Sequence, residues 1–249
     1  MPRATSRPQT RLDQLLVARG LAPSRKQAQA LVLAGSILVR GQKADKPGAA
    51  VAADAELRVL DGGPRFASRA GEKLAAALAH FAIPVAGRLA LDIGSSTGGF
   101  TDCLLQAGAR HVFAFDSGTN QMIWRLRCDP RVTLRENTNA RFLTPADIAA
   151  PADLLTADVS FISVTWLLPA LVPLLAPRAD AVILVKPQFE AGRSQVGKGG
   201  IVRDRAAQAA AVGRVEQAAA ASGLHPCGVL PSPLLGTRGN QEYLLYAKH

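Results

Sequence analysis

The stretch Leu89-Ala90-Leu91-Asp92-Ile93-Gly94-Ser95-Ser96-Thr97-Gly98-Gly99-Phe100 restricts this chain more than any other. Its first five residues are mostly aliphatic and read as a strand buried on both faces. Glycines follow at 94, 98 and 99, and Thr101–Ala107 then reads as a helix. Glycine permits positive φ and lets backbone approach a ligand closely. A strand that passes through such a turn into a helix is a corner of a doubly wound sheet, and these sheets bind nucleotides beyond the carboxyl ends of their strands. The spacing here is D-x-G-x-x-x-G-G, unlike the G-x-G-x-x-G of dinucleotide sites. Asp116 ends the next strand, 18 residues after Gly98, where a carboxylate can accept hydrogen bonds from both hydroxyls of a ribose.

Strand-like runs recur at Leu89–Ile93, His111–Phe115, Val132–Leu134, Leu154–Ala157, Ala181–Val185, Gly228–Pro231 and Tyr243–Tyr246. Helical stretches such as Gly71–Phe81, Thr101–Ala107 and Asp204–Ser222 lie between most of them. Alternation of this kind predicts an α/β domain with a mainly parallel sheet over residues 71–249. Upstream the pattern differs. Leu12, Leu15 and Leu16 share a helix face that Gly20 would end, and Ser24 would cap a second helix carrying Ala28, Leu31 and Val32. Ile37–Val39 and Leu57–Leu60 read as short strands around a turn-rich Gly41–Gly48. The expected organisation is a disordered basic tail over 1–10, a small α+β domain over 11–60, a linker over 61–70 marked by Asp61-Gly62-Gly63-Pro64, and the α/β domain.

Charge narrows the partner. The chain carries a net charge of +10, and residues 1–60 hold ten Lys/Arg against four Asp/Glu. Such an excess at one end points to a polyanion, either nucleic acid or an anionic membrane face. Val159–Pro177 is an uncharged run of 19 residues, long enough to span a bilayer. Prolines at 169, 173 and 177 and its place between two strand runs favour a buried loop and helix instead. Cys103, Cys128 and Cys227 lack metal spacing and form no even set, so neither a zinc site nor a disulfide framework is expected, and a reducing compartment fits. The polar, basic N-terminus does not read as a secretory signal.

Four charged residues stand where this fold would place apolar residues or loops. Lys73 lies at the start of the helix before the first large-domain strand, Asp158 ends the fourth strand run, Lys186 ends the fifth before Pro187, and Glu242 begins the last. Asp158 and Lys186 should face the same crevice as the glycine loop. Charges there are costly unless paired, so the set reads either as ion pairs sealing the sheet end or as a catalytic group.

The D-x-G-x-x-x-G-G loop resembles the S-adenosylmethionine loop of Rossmann-like methyltransferases. Five further segments carry a closer likeness: Ser68-Arg69-Ala70-Gly71-Glu72-Lys73-Leu74, Asp92 through Leu104, Asp158-Val159-Ser160-Phe161-Ile162-Ser163, Val185-Lys186-Pro187-Gln188-Phe189-Glu190-Ala191-Gly192, and Gly239-Asn240-Gln241-Glu242. Together they resemble the TlyA family of ribosomal RNA 2′-O-methyltransferases of the FtsJ-like class, some of whose members are labelled hemolysins. The resemblance spans about residues 11–247. It implies a Rossmann-like S-adenosylmethionine-dependent methyltransferase domain behind a small RNA-binding domain, ribosomal RNA as partner, cytidine 2′-hydroxyls of the small subunit, the large subunit or both as target, and a cytoplasmic location. It implies a catalytic set of Lys73, Asp158, Lys186 and Glu242, with no metal. It implies a donor site of Asp92, Gly94, Ser95, Thr97, Gly98, Gly99, Phe100, Asp116 and Asn139. Residues 11–60 resemble a domain shared with a ribosomal small-subunit protein and pseudouridine synthases, which implies Arg11, Arg25, Lys26 and Lys46 as RNA contacts. The turn Ser117-Gly118-Thr119-Asn120-Gln121 departs from the Gly-Tyr-Gly-like form of relatives.

Phe161 is expected to stack on a base. Glu190–Arg205, with Arg193, Lys198, Arg203 and Arg205 among glycines, reads as a cationic flap over RNA, Arg193 and Lys198 being its expected contacts. In the expected reaction Lys186 positions and activates the ribose hydroxyl while Asp158 orients Lys186. A noncatalytic RNA-binding assembly factor and a membrane-lytic protein are the alternatives from other classes.

Overall fold

The computed structural model describes residues 9–60, 65–192 and 195–249. The chain divides into two compact units, Met1–Arg69 and Ala70–His249.

In the first unit, β1 (Gln9–Arg11) leads directly into α1 (Leu12–Ala18), and α2 (Arg25–Leu33) follows. The Ser24 hydroxyl caps α2 by accepting from Gln27 N at 3.3 Å. Gly20 and Gly35, at φ +68° and +70°, end the two helices. Leu12, Leu16, Ala28, Val32 and Ile37 meet in one small core. β2 (Ile37–Val39) pairs antiparallel with β3 (Gln42–Lys43) and β5 (Leu57–Val59), while β4 (Ala50–Ala52) pairs with β1. The expected tail over 1–10 is therefore too long: Gln9 and Thr10 sit in register with Ala52 and Val51, because backbone pairing with β4 holds residues whose side chains bury little. Residues 1–8 and the linker signal at 61–64 lie outside the described residues.

The second unit opens with α3 (Ala70–His80) and β6 (Leu89–Ile93), then α4 (Gly99–Gln106), β7 (His111–Phe115), α5 (Trp124–Arg127), β8 (Val132–Arg135) and β9 (Ala152–Ala157). It continues with α6 (Leu168–Leu171), β10 (Leu175–Val185), α7 (Pro187–Glu190), α8 (Arg205–Ala221), β11 (His225–Pro231) and β12 (Tyr243–Lys248). The sheet order is β11-β12-β10-β9-β6-β7-β8, parallel from β10 to β8, with β12 antiparallel to both of its neighbours. Chain direction across the sheet reverses between β6 and β9, which is where an open α/β sheet leaves its binding crevice.

Alternation along the strands sorts the two faces. Leu91 and Ile93 of β6 join a core with Leu168 and Leu171 of α6 and Val212, Val215 and Ala219 of α8. Asp92, between them, turns to the other face under α4, where it meets Thr101. The uncharged run Val159–Pro177 resolves into a loop, the short helices over 164–174 and the first residues of β10. No helix among the described residues is long and apolar enough to cross a membrane.

Candidate active site

The carboxyl ends of β6, β7 and β9 and the loops beyond them enclose a pocket of about 520 Å³, within the roughly 300–1,000 Å³ range of small-ligand sites. Gly94 leaves β6 at φ +80°, and a Cβ there would overlap the carbonyl oxygen of Asp158. Only glycine lets the two strand ends approach this closely. Asp116, past the end of β7, ties two loops together: its Oδ2 accepts from Ser96 N at 2.7 Å and its Oδ1 from Gly118 N at 2.7 Å. Ser96 also donates to Gln121 Oε1 at 2.9 Å. Nearby, where Thr138 N donates to Asp116 O at 2.9 Å, Asn139 caps the 3₁₀ turn Ala140–Phe142 by accepting from Arg141 N at 3.1 Å.

Of the residues expected to hold a donor, Gly94, Asp116 and Asn139 line this pocket, together with Ser96, Gly118, Gln121, Asp158 and Ser160. Asp92, Ser95, Thr97, Gly98, Gly99 and Phe100 are not in its wall. Gly98, at φ +96°, turns the chain, and Gly99 and Phe100 are buried in the first turn of α4. The motif shapes the pocket from behind and contributes few surfaces to it. Ser96, Gly118 and Gln121 escaped sequence reading because they converge from two loops; the Asp116-Ser117-Gly118 turn was the one local signal for them.

Asp92 shows the same displacement. It is fully buried and accepts from Thr101 Oγ1 at 2.6 Å and Thr156 Oγ1 at 2.9 Å. Burial pushes its carboxyl up to about 6 against those two hydrogen bonds, and the charge of Asp158 adds to the rise. The folded protein thus holds this proton more tightly than the unfolded chain. The stability it contributes is complete below about pH 4 and is lost as the pH rises through about 6, a span of about 3 kcal/mol. Asp92→Asn is expected to remove that component. In urea titrations from pH 4 to 6.5 the wild type should lose about 2–3 kcal/mol relative to the variant; parallel curves would mean that Asp92 stays ionised.

The four charged residues form two ion pairs. Lys186 Nζ lies 2.6 Å from Asp158 Oδ1 and donates to Ser160 Oγ at 2.7 Å. The Asp158 contact is close but lies off the direction of a hydrogen bond. Lys73 Nζ donates to Glu242 Oε2 at 2.5 Å. Val185 and Tyr243 are the last register partners of β10 and β12, so Lys186 and Glu242 leave the sheet side by side. Side-chain exposure is 10% and 16% in the first pair and 12% and 3% in the second. Buried pairs add little net stability, whereas losing one partner costs about 3–5 kcal/mol. Gly236 is packed against the Glu242 carboxylate so closely that a Cβ would overlap it.

The loop after β9 carries Phe161, 93% exposed at φ +68°. Glu190 fixes the end of this loop by accepting from Ser163 Oγ at 2.5 Å and Val164 N at 2.9 Å. Its burial pushes the Glu190 carboxyl up, against those two bonds.

The expected RNA cations fare unevenly. Arg11 and Arg25 converge on the buried carboxylate of Asp13, at 3.0 and 2.9 Å, and Gln29 donates to it at 2.8 Å. The Arg11 hydrogen bonds lead in holding that carboxyl far below the usual range. Both arginines are thus half engaged, with side chains 46% and 54% exposed. Lys26, Lys46 and Lys198 are exposed, and Arg193 lies outside the described residues. The stretch expected to be a free flap is tied down in part. Gly197 bridges Ile201, Asn240 accepts from Val202 N at 3.0 Å and donates to Gly200 O at 2.9 Å, and Arg238 donates to Gly199 O at 2.7 Å. Among the described residues no group of His, Cys, Asp or Glu is arranged to hold a metal ion.

Comparison with known proteins adds two family matches: FtsJ-like methyltransferase over residues 66–249 and S4 domain over residues 10–57. The chain is 50% identical to the 16S/23S rRNA (cytidine-2′-O)-methyltransferase TlyA of Mycobacterium tuberculosis over 96% of this chain and 89% of that protein. The solved structure of a proposed hemolysin from Streptococcus thermophilus aligns with a TM-score of 0.76 at 41% identity, covering 98% of this chain and 89% of that one. An S-adenosylmethionine dependent methyltransferase from Mesorhizobium loti, 18% identical with a TM-score of 0.51 over 70% of this chain and 96% of that one, shares the fold.

Proposed function

The chain belongs to the FtsJ-like methyltransferase family, in its TlyA branch, and from that premise we propose that it transfers a methyl group from S-adenosylmethionine to the ribose 2′-hydroxyl of cytidine in ribosomal RNA. The observation that carries this reading is the Lys186–Asp158 pair, with Ser160, at the lip of a pocket of small-ligand size. The residues present suit such a donor. Asp116 has lone pairs left for ribose hydroxyls beyond the two amides it accepts from, and Asn139 and Gly94 line the same pocket.

When bound, the sulfonium donor supplies a methyl group that is already electrophilic. The chain has to hold the 2′-oxygen in line and remove its proton while the carbon–oxygen bond forms and the carbon–sulfur bond breaks. Alignment of this kind lowers a barrier by up to about 7–11 kcal/mol in ideal cases. Lys186, held by Asp158 and Ser160, is placed to orient the hydroxyl, and it can take the proton only after giving one up, which its pairing with Asp158 opposes. Asp158 also favours positive charge beside the pocket. Lys73 and Glu242 brace the neighbouring strand ends. Lys26, Lys46 and Lys198, with the half-engaged Arg11 and Arg25, supply phosphate contacts, and Arg193 is proposed among them from sequence. Action on ribosomal RNA implies a cytoplasmic enzyme.

The test is to incubate unmethylated small and large ribosomal subunits with protein and donor, and to map 2′-O-methyl marks by nucleoside analysis and primer extension. New 2′-O-methylcytidine is expected in one or both RNAs. Protein that binds S-adenosylhomocysteine and subunits yet leaves no mark would favour a noncatalytic assembly factor.

A further inference from the structure

Lys186 and Glu190 stand at the two ends of one helical turn, Lys186 as the N-cap of α7 and Glu190 as its last residue. Pro187 starts that turn, and Phe189 N and Ala191 N close it on the carbonyl oxygens of Lys186 and Pro187 at 2.9 and 2.8 Å. Both charged side chains reach the same segment, the loop after β9. Lys186 donates to Ser160 Oγ at 2.7 Å and pairs with Asp158. Glu190 takes the other end, where its Oε2 accepts from Ser163 Oγ at 2.5 Å and its Oε1 from Val164 N at 2.9 Å. Between the two attachments lies Phe161, on a left-handed backbone at φ +68°. A bulky residue keeps that conformation only where its surroundings hold it. Glu190 itself gains little from its place: burial pushes its carboxyl up despite both hydrogen bonds and the charge of Arg214 on α8. Its consequence lies in what it holds.

We infer that Glu190 is a positioning residue for methyl transfer, fixing the far end of the loop over residues 158–163 so that Ser160 and Asp158 stay on Lys186. Without it the polar attachments of this loop to α7 reduce, among the described residues, to those of Lys186 itself. The amine that orients the 2′-hydroxyl would then share the motion of an unanchored partner. Glu190 is absent from the wall of the donor pocket and acts through Ser163 and Val164. The inference rests on the 2′-O-methyltransferase reading above.

The test is the single-turnover rate with donor and ribosomal subunits both saturating, which removes differences in binding. Glu190→Ala is expected to slow transfer about ten- to hundredfold, the range for hydrogen bonds to a charged group. Glu190→Gln should recover most of that loss, because its carboxamide can accept from Val164 N and donate to Ser163 Oγ, whose own proton then turns to Thr165 Oγ1, 2.7 Å away. Ser160→Ala should slow transfer about tenfold. The Glu190→Ala/Ser160→Ala double variant should be at most about threefold slower than the slower single variant, since both act on one contact to Lys186. A Glu190→Ala protein that transfers at the wild-type rate, whatever its stability in urea, overturns the inference. Single effects that multiply in the double variant do so too. Where Glu190→Ala does not fold, Ser163→Ala, which leaves the Val164 bond in place, replaces it in the cycle with an expected loss of about three- to tenfold, and the same two outcomes decide. Wild-type protein that binds S-adenosylhomocysteine but marks no subunit defeats the underlying reading instead.

Discussion

Lys186→Ala is expected to lower the single-turnover rate of methyl transfer by about 10³-fold, in the range of a lost general base combined with lost positioning. Donor affinity should stay within about threefold, since Lys186 is absent from the pocket wall and changes of that size fall under 1 kcal/mol. The substitution also leaves Asp158 without its cation, so a stability loss of about 3–5 kcal/mol is expected alongside. Rate and stability must therefore be measured separately, by quench-flow and by urea denaturation. Lys186→Arg divides the two roles. Arginine can still pair with Asp158 but does not give up its proton. An inactive Lys186→Arg protein with normal donor binding points to proton removal by the lysine. Substantial activity in Lys186→Arg points to positioning alone, and wild-type rates in Lys186→Ala would remove Lys186 from the reaction.

Asp116→Ala should weaken S-adenosylhomocysteine binding by about 100-fold, measured by calorimetry. Two losses combine. The carboxylate accepts from the backbone N–H of Ser96 and of Gly118, and hydrogen bonds to a charged group contribute about 1.5–3 kcal/mol each. Without them the two loops that form one side of the pocket separate. The ribose would lose its acceptor as well. Asp116→Asn keeps a single acceptor oxygen and should fall between wild type and alanine. Affinity within threefold of wild type in Asp116→Ala would place the nucleoside elsewhere. Because Asp116 is distant from Lys186 in sequence and holds different elements, the two substitutions should act on different steps, one on donor binding and one on transfer.

The large elements were readable in advance because each buries a continuous apolar face. Leu89–Ile93 and His111–Phe115 have the bounds expected of them, and Leu12, Leu16, Ala28 and Val32 do form the small core. β1, β3 and β4 were missed for the opposite reason. They are two or three residues long, carry polar or small side chains, and exist through pairing with a distant partner. The Arg40-Gly41 turn between β2 and β3, with both φ values positive, is another such feature. Arginine there gives no warning of a left-handed conformation.

Charge was legible as excess but not as arrangement. Arg11 and Arg25 were expected as RNA contacts, yet both are drawn onto the buried carboxylate of Asp13. The polar quartet was recognisable by type and position, but its division into Lys186–Asp158 and Lys73–Glu242 depends on the register of β10 with β9 and β12.

The order of residues along this chain determines where the long apolar strands and helices lie and which of their faces are apolar, since these follow from neighbours within one turn or one strand. Side-chain partnership across the sheet is another matter. Asp92 looked like a donor contact and is instead locked beneath α4 by two threonines, while Ser96 and Gly118 reached the pocket through Asp116. A carboxylate's environment is set by groups tens of residues away, and strand alternation, sheet order and register together choose which groups those are.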